Sequence, residues 1–253
     1  MIHDPWSLVA AILAVLVGTT LQRISGAGVG LVVSPVFVLL FGPAVGVFAA
    51  NSLTIVSAAL MMTAVWPRIE WGKAARVLLF GAPGAVLGAF LVLWLPSAWL
   101  SIIIGAIVLS AVLITRFSPT LPHWDNTPTL GVASFVAGSF NTTAGVAAPA
   151  LVVYSRLSKW EQARMSATLQ PIFLGFGVMS VLLKTAVGAS GFAEAPPWWA
   201  LPLIVVLVLA GIRIGGALSK RVSHEGAQRL AMVLAGLGGA GAIARGVVQL
   251  AVG

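Results

Sequence analysis

Nearly the whole chain is apolar, and its apolar runs are interrupted at intervals that a lipid bilayer dictates. The runs fall at about 8–41, 43–66, 75–95, 96–115, 127–154, 165–187, 198–218 and 229–251. A helix rising about 1.5 Å per residue needs about 20 apolar residues to cross a hydrocarbon layer of about 30 Å, and most of the runs have that length. With 59% hydrophobic and 8% charged residues, the chain has too little charge to coat a soluble domain of 253 residues. It reads as an all-α polytopic membrane protein. The opening "MIHDPWSLVA" has neither a basic stretch nor a small-residue cleavage site, so it is not expected to be a removable signal peptide.

The basic residues give the topology. Arg68, Lys73 and Arg76 mark one loop; Arg156, Lys159 and Arg164 a second; Lys220, Arg221 and Arg229 a third. The net charge of +8 is therefore read as the positive-inside bias of cytoplasmic loops rather than as a nucleic-acid surface. Placing these loops in the cytoplasm forces a parity: 127–154 must begin and end inside, and 8–41 must begin and end outside. Each is expected to be a hairpin turning at its polar or glycine-rich middle, "QRISGAGVG" (22–30) or "FNTTAG" (140–145). Arms of about 12–17 residues are short for full spans, so the tips are expected within the protein, on broken, tilted or re-entrant helices. Trp6, Trp66, Trp71, Trp160, Trp198 and Trp199 lie near segment ends and are expected in the interfacial belt.

The halves resemble each other. "GAVLGAFLVLWLPS" from Gly84 aligns with "GIRIGGALSKRVSH" from Gly211, Ser52-Leu53 with Thr168-Leu169, and Pro35 with Pro149. Equivalent loops differ in charge character: the uncharged Leu95–Ser97 turn matches the basic Lys220–Arg229 loop, and the basic Arg68–Arg76 loop matches one carrying only Glu194. That pattern is expected of two inverted repeats, 1–118 and 119–253, each a broken hairpin plus three transmembrane helices.

Such repeats place a substrate near the midplane where the hairpins meet. Backbone freed at a tip has to be buried in protein or line a polar cavity. Gly26, Gly28 and Gly145 allow close backbone approach, while Ser25, Asn141, Thr142 and Thr143 supply short polar groups and are expected to cap the second arms. A helix starting at a tip directs free N–H groups and its positive dipole end at a small anion. Asn51, Ser52 and Thr54 after the first hairpin, and Thr168 and Gln170 after the second, are candidate lining residues. Arg23, beside the first tip, is a candidate counter-charge, its alternative being to snorkel to the surface. Lys184, Arg213 and Arg245 lie close enough to segment ends to be expected to snorkel.

The glycine-rich element followed by proline, "SGAGVGLVVSP" (25–35), recurs as "TTAGVAAPAL" (142–151). With the "GAVLGA" and "GIRIGG" helices and eight apolar segments, this pattern resembles the TauE/SafE sulfite exporter family, also described as 4-toluene sulfonate uptake permease-like proteins. The resemblance covers almost the whole chain. In the family the second element often has Gly-Pro adjacent, whereas Gly145 and Pro149 are four apart here. The resemblance implies secondary transport, in the export direction, of sulfite, thiosulfate or an organosulfonate across the bacterial inner membrane.

Every Asp, Glu and His falls in a terminus or loop, which leaves no buried carboxylate as a proton relay or sodium ligand. Transport is then expected to follow the anion's own gradient and the membrane potential, or to carry any proton on the substrate. There are no cysteines, no cofactor motif and no metal-ligand cluster. The spans hold no Ser-His, His-Glu or Asp-Asp constellation, which argues against an enzyme. An anion channel and a structural subunit without transport activity remain the alternatives. The small-residue stretch "GLGGAG" (236–241) is compatible with packing inside the protomer or with a homodimer.

Overall fold

The structure is a computed structural model that describes residues 5–117, 123–191 and 201–252, the side chains of 114–117 excepted. It is all-helical among the described residues. The first half comprises α1 (Pro5–Ser25), α2 (Val29–Phe41), α3 (Pro43–Val65), a 3-10 turn at Trp66–Arg68, α4 (Trp71–Trp94) and α5 (Ser97–Phe117). The second repeats that order with α6 (Thr127–Ala144), α7 (Ala148–Leu157), α8 (Gln162–Val187), α9 (Leu201–Leu218) and α10 (His224–Val252). Among the described residues, six helices are long and apolar enough to cross a membrane: α1, α3, α4, α8, α9 and α10. The protein is a multi-pass membrane protein.

Both long segments break where their polar middles stand, but the arms are unequal. α1 has 21 residues and α6 has 18, whereas α2 has 13 and α7 only 10. The arms are unequal because Gly26 and Gly145, within those polar middles, are the positions that adopt the left-handed turn.

Small residues set the helix packing. In α4, a Cβ at Gly84 would meet the Phe135 carbonyl of α6, and one at Gly88 would meet Ser139 O and Thr142. In α9, Gly211 is pressed against Thr19 of α1, and Gly215 against Thr20 O and Arg23. Lipid tails are as apolar as leucine, so close backbone approach, rather than water exclusion, brings such helices together. The two Gly-x-x-x-Gly pairs aligned from the sequence thus do equivalent jobs, each docking its helix on the first hairpin arm of one half. In "GLGGAG", Gly238 faces Pro35, Gly239 faces Val108 and Gly241 faces Leu39, all within the protomer, while Gly236 has open space.

The three basic loops meet at one end of the bundle. Arg164 lies 3.6 Å from Glu70, which also pairs with Lys73 at 3.5 Å. The Glu70 amide donates to Thr168 Oγ1, and Gln162 Nε2 contacts His224 Nε2 at 2.9 Å. Arg156 ends α7 at the same end. Trp160 is not a belt residue: it is buried, edge-on to Tyr154, with Lys73 Nζ 4.3 Å from its ring centroid. Loop proximity pointed to the interface, but the ion-paired loop folds over this ring. Trp198 and Trp199 lie outside the described residues, as does Glu194.

Candidate functional site between the two broken helices

Gly26 and Gly145 end α1 and α6 with φ of 78° and 74°. Each donates its N–H four residues back at 2.8 Å, to the carbonyl of Gln22 or of Asn141. A Cβ at Gly26 would strike Ser166 of α8, and one at Gly145 would strike Ser34 of α2. Glycine is required there twice over, by conformation and by space. Gly30 abuts the Gly145 carbonyl, and Ser34 Oγ donates to the carbonyl of Ala144. The helix leaving the first tip therefore runs directly past the second.

The expected capping does not occur. The N-cap positions of α2 and α7 are Gly28 and Ala147, neither with a side-chain cap. Ser25 Oγ turns back onto the carbonyls of Leu21 and Ala27, at 2.8 and 2.7 Å. Thr142 Oγ1 and Thr143 Oγ1 are buried without a hydrogen-bond partner. Ser25, Thr142 and Thr143 lie in the last turns of α1 and α6, before the turn, and none of them accepts from the amides beyond it.

The uncapped first turns of α2 and α7 line one cavity of about 20 Å³, roughly the space of one water molecule. Gln22, Thr54, Asn141 and Phe173 complete its wall, with Gly28 and Gly145. A second cavity of about 100 Å³ adjoins it and shares Leu31 and Ala148. Ser25, Ser155, Arg156, Gln162, His224 and Gln228 supply its polar lining, so it opens from the end where the basic loops meet.

Two buried amide pairs fasten the tips. Gln22 Nε2 donates to Gln170 Oε1 at 2.8 Å, and Gln170 Nε2 donates to Gly26 O at 3.2 Å and Ser166 O at 3.0 Å. At the other tip, Asn141 Nδ2 donates to Asn51 Oδ1 at 3.1 Å. Asn51 Nδ2 in turn reaches Asn141 O at 3.2 Å and Ser180 Oγ at 2.8 Å. One sequence offset relates Gly26 to Gly145, Gln22 to Asn141 and Asn51 to Gln170. By that offset Gly30, not Pro35, corresponds to Pro149. Pro149 sits in the first turn of α7, whereas Pro35 lies inside α2.

The residues singled out from the sequence thus divide into three groups. Gly28, Asn141, Gly145 and Thr54 line the central cavity, and Ser25 lines the second. Gly26, Asn51, Gln170, Thr142 and Thr143 stand immediately behind the tips, the first three in the hydrogen bonds above. Arg23, Ser52 and Thr168 line neither cavity. Arg23 is exposed, with its stem against Gly215; Ser52 Oγ bonds Phe48 O, and Thr168 holds the Glu70 loop. Gln22, beside the charged Arg23, has no sequence feature that marks it, and its role comes from the distant partner Gln170. Arg156 looks like one more loop charge in the sequence, and only the fold sets it on the wall of the second cavity. Arg245 does not snorkel: its Nη1 donates to Val38 O at 2.9 Å and Leu39 O at 2.7 Å, at the C-terminal end of α2. Lys184 does not snorkel either; it is fully buried in α8.

A family model described as "Sulfite exporter TauE/SafE" matches residues 10–242. No curated protein and no solved structure matches the chain.

Proposed function

The chain belongs to the TauE/SafE sulfite exporter family, and from that premise we propose that it is a secondary transporter exporting a small sulfur oxyanion or organosulfonate across the inner membrane by alternating access. The family carries the general activity, membrane transport of sulfur-containing anions. The reading of the site rests on one observation: two helix N-termini without side-chain caps, one from each half, line the same buried cavity.

Each helix start leaves backbone N–H groups without intrahelical partners and carries about half a positive charge. Two such starts converging in a low-dielectric interior form an anion site without needing a cationic side chain. A tetrahedral or pyramidal oxyanion accepts from several directions, which suits donors arriving from both tips. Gly28 and Gly145 let backbone approach closely, and Asn141 adds a side-chain amide. Arg23 is not needed here, since it faces α9.

At about 20 Å³ the central cavity is too small for sulfite. The adjoining cavity of about 100 Å³, with Arg156 on its wall, is the cytoplasmic vestibule in this reading. Leu31 and Ala148 separate the two, so substrate enters when the tips move apart. The two halves, as inverted repeats, exchange roles during that motion. No carboxylate is buried among the described residues, which fits a driving force from the anion gradient and the membrane potential, or a proton carried on the substrate.

The test is uptake of sulfite, thiosulfate and taurine into proteoliposomes holding purified protein, with a thermal-shift panel of the same anions in detergent. Saturable, counterflow-capable flux of at least one supports the reading. Absence of both flux and thermal stabilisation across the panel overturns it, and unitary conductance steps in planar bilayers would replace the transporter with a channel.

A further inference from the structure

The α8 helix presents one stripe to the two tips, and the stripe continues past them. Gln170, Phe173, Gly177, Ser180 and Lys184 recur at alternating spacings of three and four, which places them on one helix face. Their order follows the path described above. Gln170 holds the first tip, Phe173 lines the central cavity, Gly177 lies against Asn51 O, and Ser180 accepts from Asn51 at the second tip. Lys184 comes next, one turn farther from the basic loops. It is 0% exposed, and its Nζ has no hydrogen-bond partner.

The register of neighbouring helices gives its level. The chain around α4 and α8 runs side by side through Glu70 N to Thr168, Leu78 to Gly175 and Gly81 to Phe176. Continuing that register sets Lys184 level with Gly88. A Cβ at Gly88 would in turn meet Thr142 Cβ and Thr143 Oγ1. Among the described residues, Thr142 Oγ1 and Thr143 Oγ1 are the other two side-chain groups on this side of the Asn51–Asn141 pair that are buried without partners. A lysine side chain leans toward the N-terminus of its helix, here back toward Ser180 and the second tip.

An ammonium buried without a partner is among the most costly arrangements a protein holds, and in a membrane span it marks function by default. At the level of two hydroxyls lacking partners, it has the chemistry of an anion position. We propose that Lys184, with Thr142 and Thr143, forms a second oxyanion position on the far side of the Asn51–Asn141 pair, occupied as the anion leaves the central cavity. This inference rests on the transport reading above and adds to it a cationic station on the exit side. The central cavity binds by backbone dipoles and the Asn141 amide, without a cationic side chain. Lys184 beyond it becomes a paired cation when the anion arrives, which favours passage of the anion through the Asn51–Asn141 closure.

The test uses purified protein in detergent at fixed ionic strength, with inorganic sulfite as the probe. Lys184→Met is expected to raise Tm without anion, by removing a buried charge without a partner. It is also expected to weaken the sulfite-dependent stabilisation at least tenfold in apparent Kd, and to lower flux into proteoliposomes. Lys184→Gln, uncharged, shorter and still a donor, provides the same comparison should the methionine variant not fold. A wild-type sulfite Kd and flux in both variants overturns this inference alone and leaves a structural lysine. A wild-type protein stabilised by no sulfur oxyanion overturns the transport reading together with it.

Discussion

Gln22 and Gln170, 148 residues apart in the chain, face each other in the protein interior with an amide hydrogen bond of 2.8 Å. Through it the last turn of α1 is tied to α8, and Gln170 also reaches the Gly26 carbonyl beyond the break. Asn141 and Asn51 form the corresponding tie at the other tip. A backbone carbonyl freed by a helix break cannot be left bare in lipid. Gln170 supplies the donor for Gly26 O, while Asn51 adds a second donor to Asn141 O, which already accepts from the Gly145 N–H. The tips are held by side chains from the other half or from the following helix, so a motion that separates the halves also works on the tips.

Gln170→Leu is expected to destabilise the protein by about 1–3 kcal/mol, since it strands the Gln22 amide and the Gly26 carbonyl. Thermal unfolding in detergent measures this. A Tm equal to that of wild type would show that the tip does not depend on the amide.

Gly26→Ala and Gly145→Ala each force a left-handed residue to carry a Cβ, at a cost of about 1–2 kcal/mol before any clash. Ser166 or Ser34 must also shift to admit it. Gly72→Ala, where a Cβ would meet nothing within 4 Å, is the control and should leave Tm unchanged.

Asn141→Ala and Thr143→Ala, equivalent as sequence-level candidates, are now expected to differ. Asn141→Ala breaks the bond to Asn51 and should lower both Tm and anion affinity. Thr143 Oγ1 makes no protein hydrogen bond, so Thr143→Ala should keep Tm within about 0.5 kcal/mol of wild type while reducing anion-dependent stabilisation. Wild-type anion affinity in Thr143→Ala would remove that hydroxyl from the site.

Arg245→Met should cost about 1–2 kcal/mol, because the guanidinium bonds Val38 O and Leu39 O at the negative end of the α2 dipole. Tm should fall while sulfite affinity stays near that of wild type, since α2 meets the cavity at its other end.

Glu70→Gln removes a carboxylate that pairs with Lys73 and Arg164 at the bundle end. A part-exposed pair of this kind contributes about 0–1 kcal/mol. Flux and its dependence on membrane potential should be unaffected, and a loss of coupling in this variant would refute carboxylate-free transport.

The amino-acid sequence by itself determined the membrane class, the number and order of the apolar segments and the two broken hairpins. These depend on composition, run length and charge parity, which neighbours do not alter. It also marked the two Gly-x-x-x-Gly helices and the polar tips, because glycine and Asn-Thr-Thr are costly in an apolar helix unless they serve a contact. Only the tertiary structure decided what each polar group does. Gln22 gained its role from a partner far away in the chain, and Ser25 lost its expected capping role to nearby carbonyls. Arg23, adjacent to the tip in sequence, turned out to face α9, since one step along a helix rotates a side chain by about 100°. Lys184 and Arg245 both look like snorkelling residues by their distance from a segment end. Burial against neighbouring helices, a property of packing rather than of position, left one as a cap and the other as a charge without a partner.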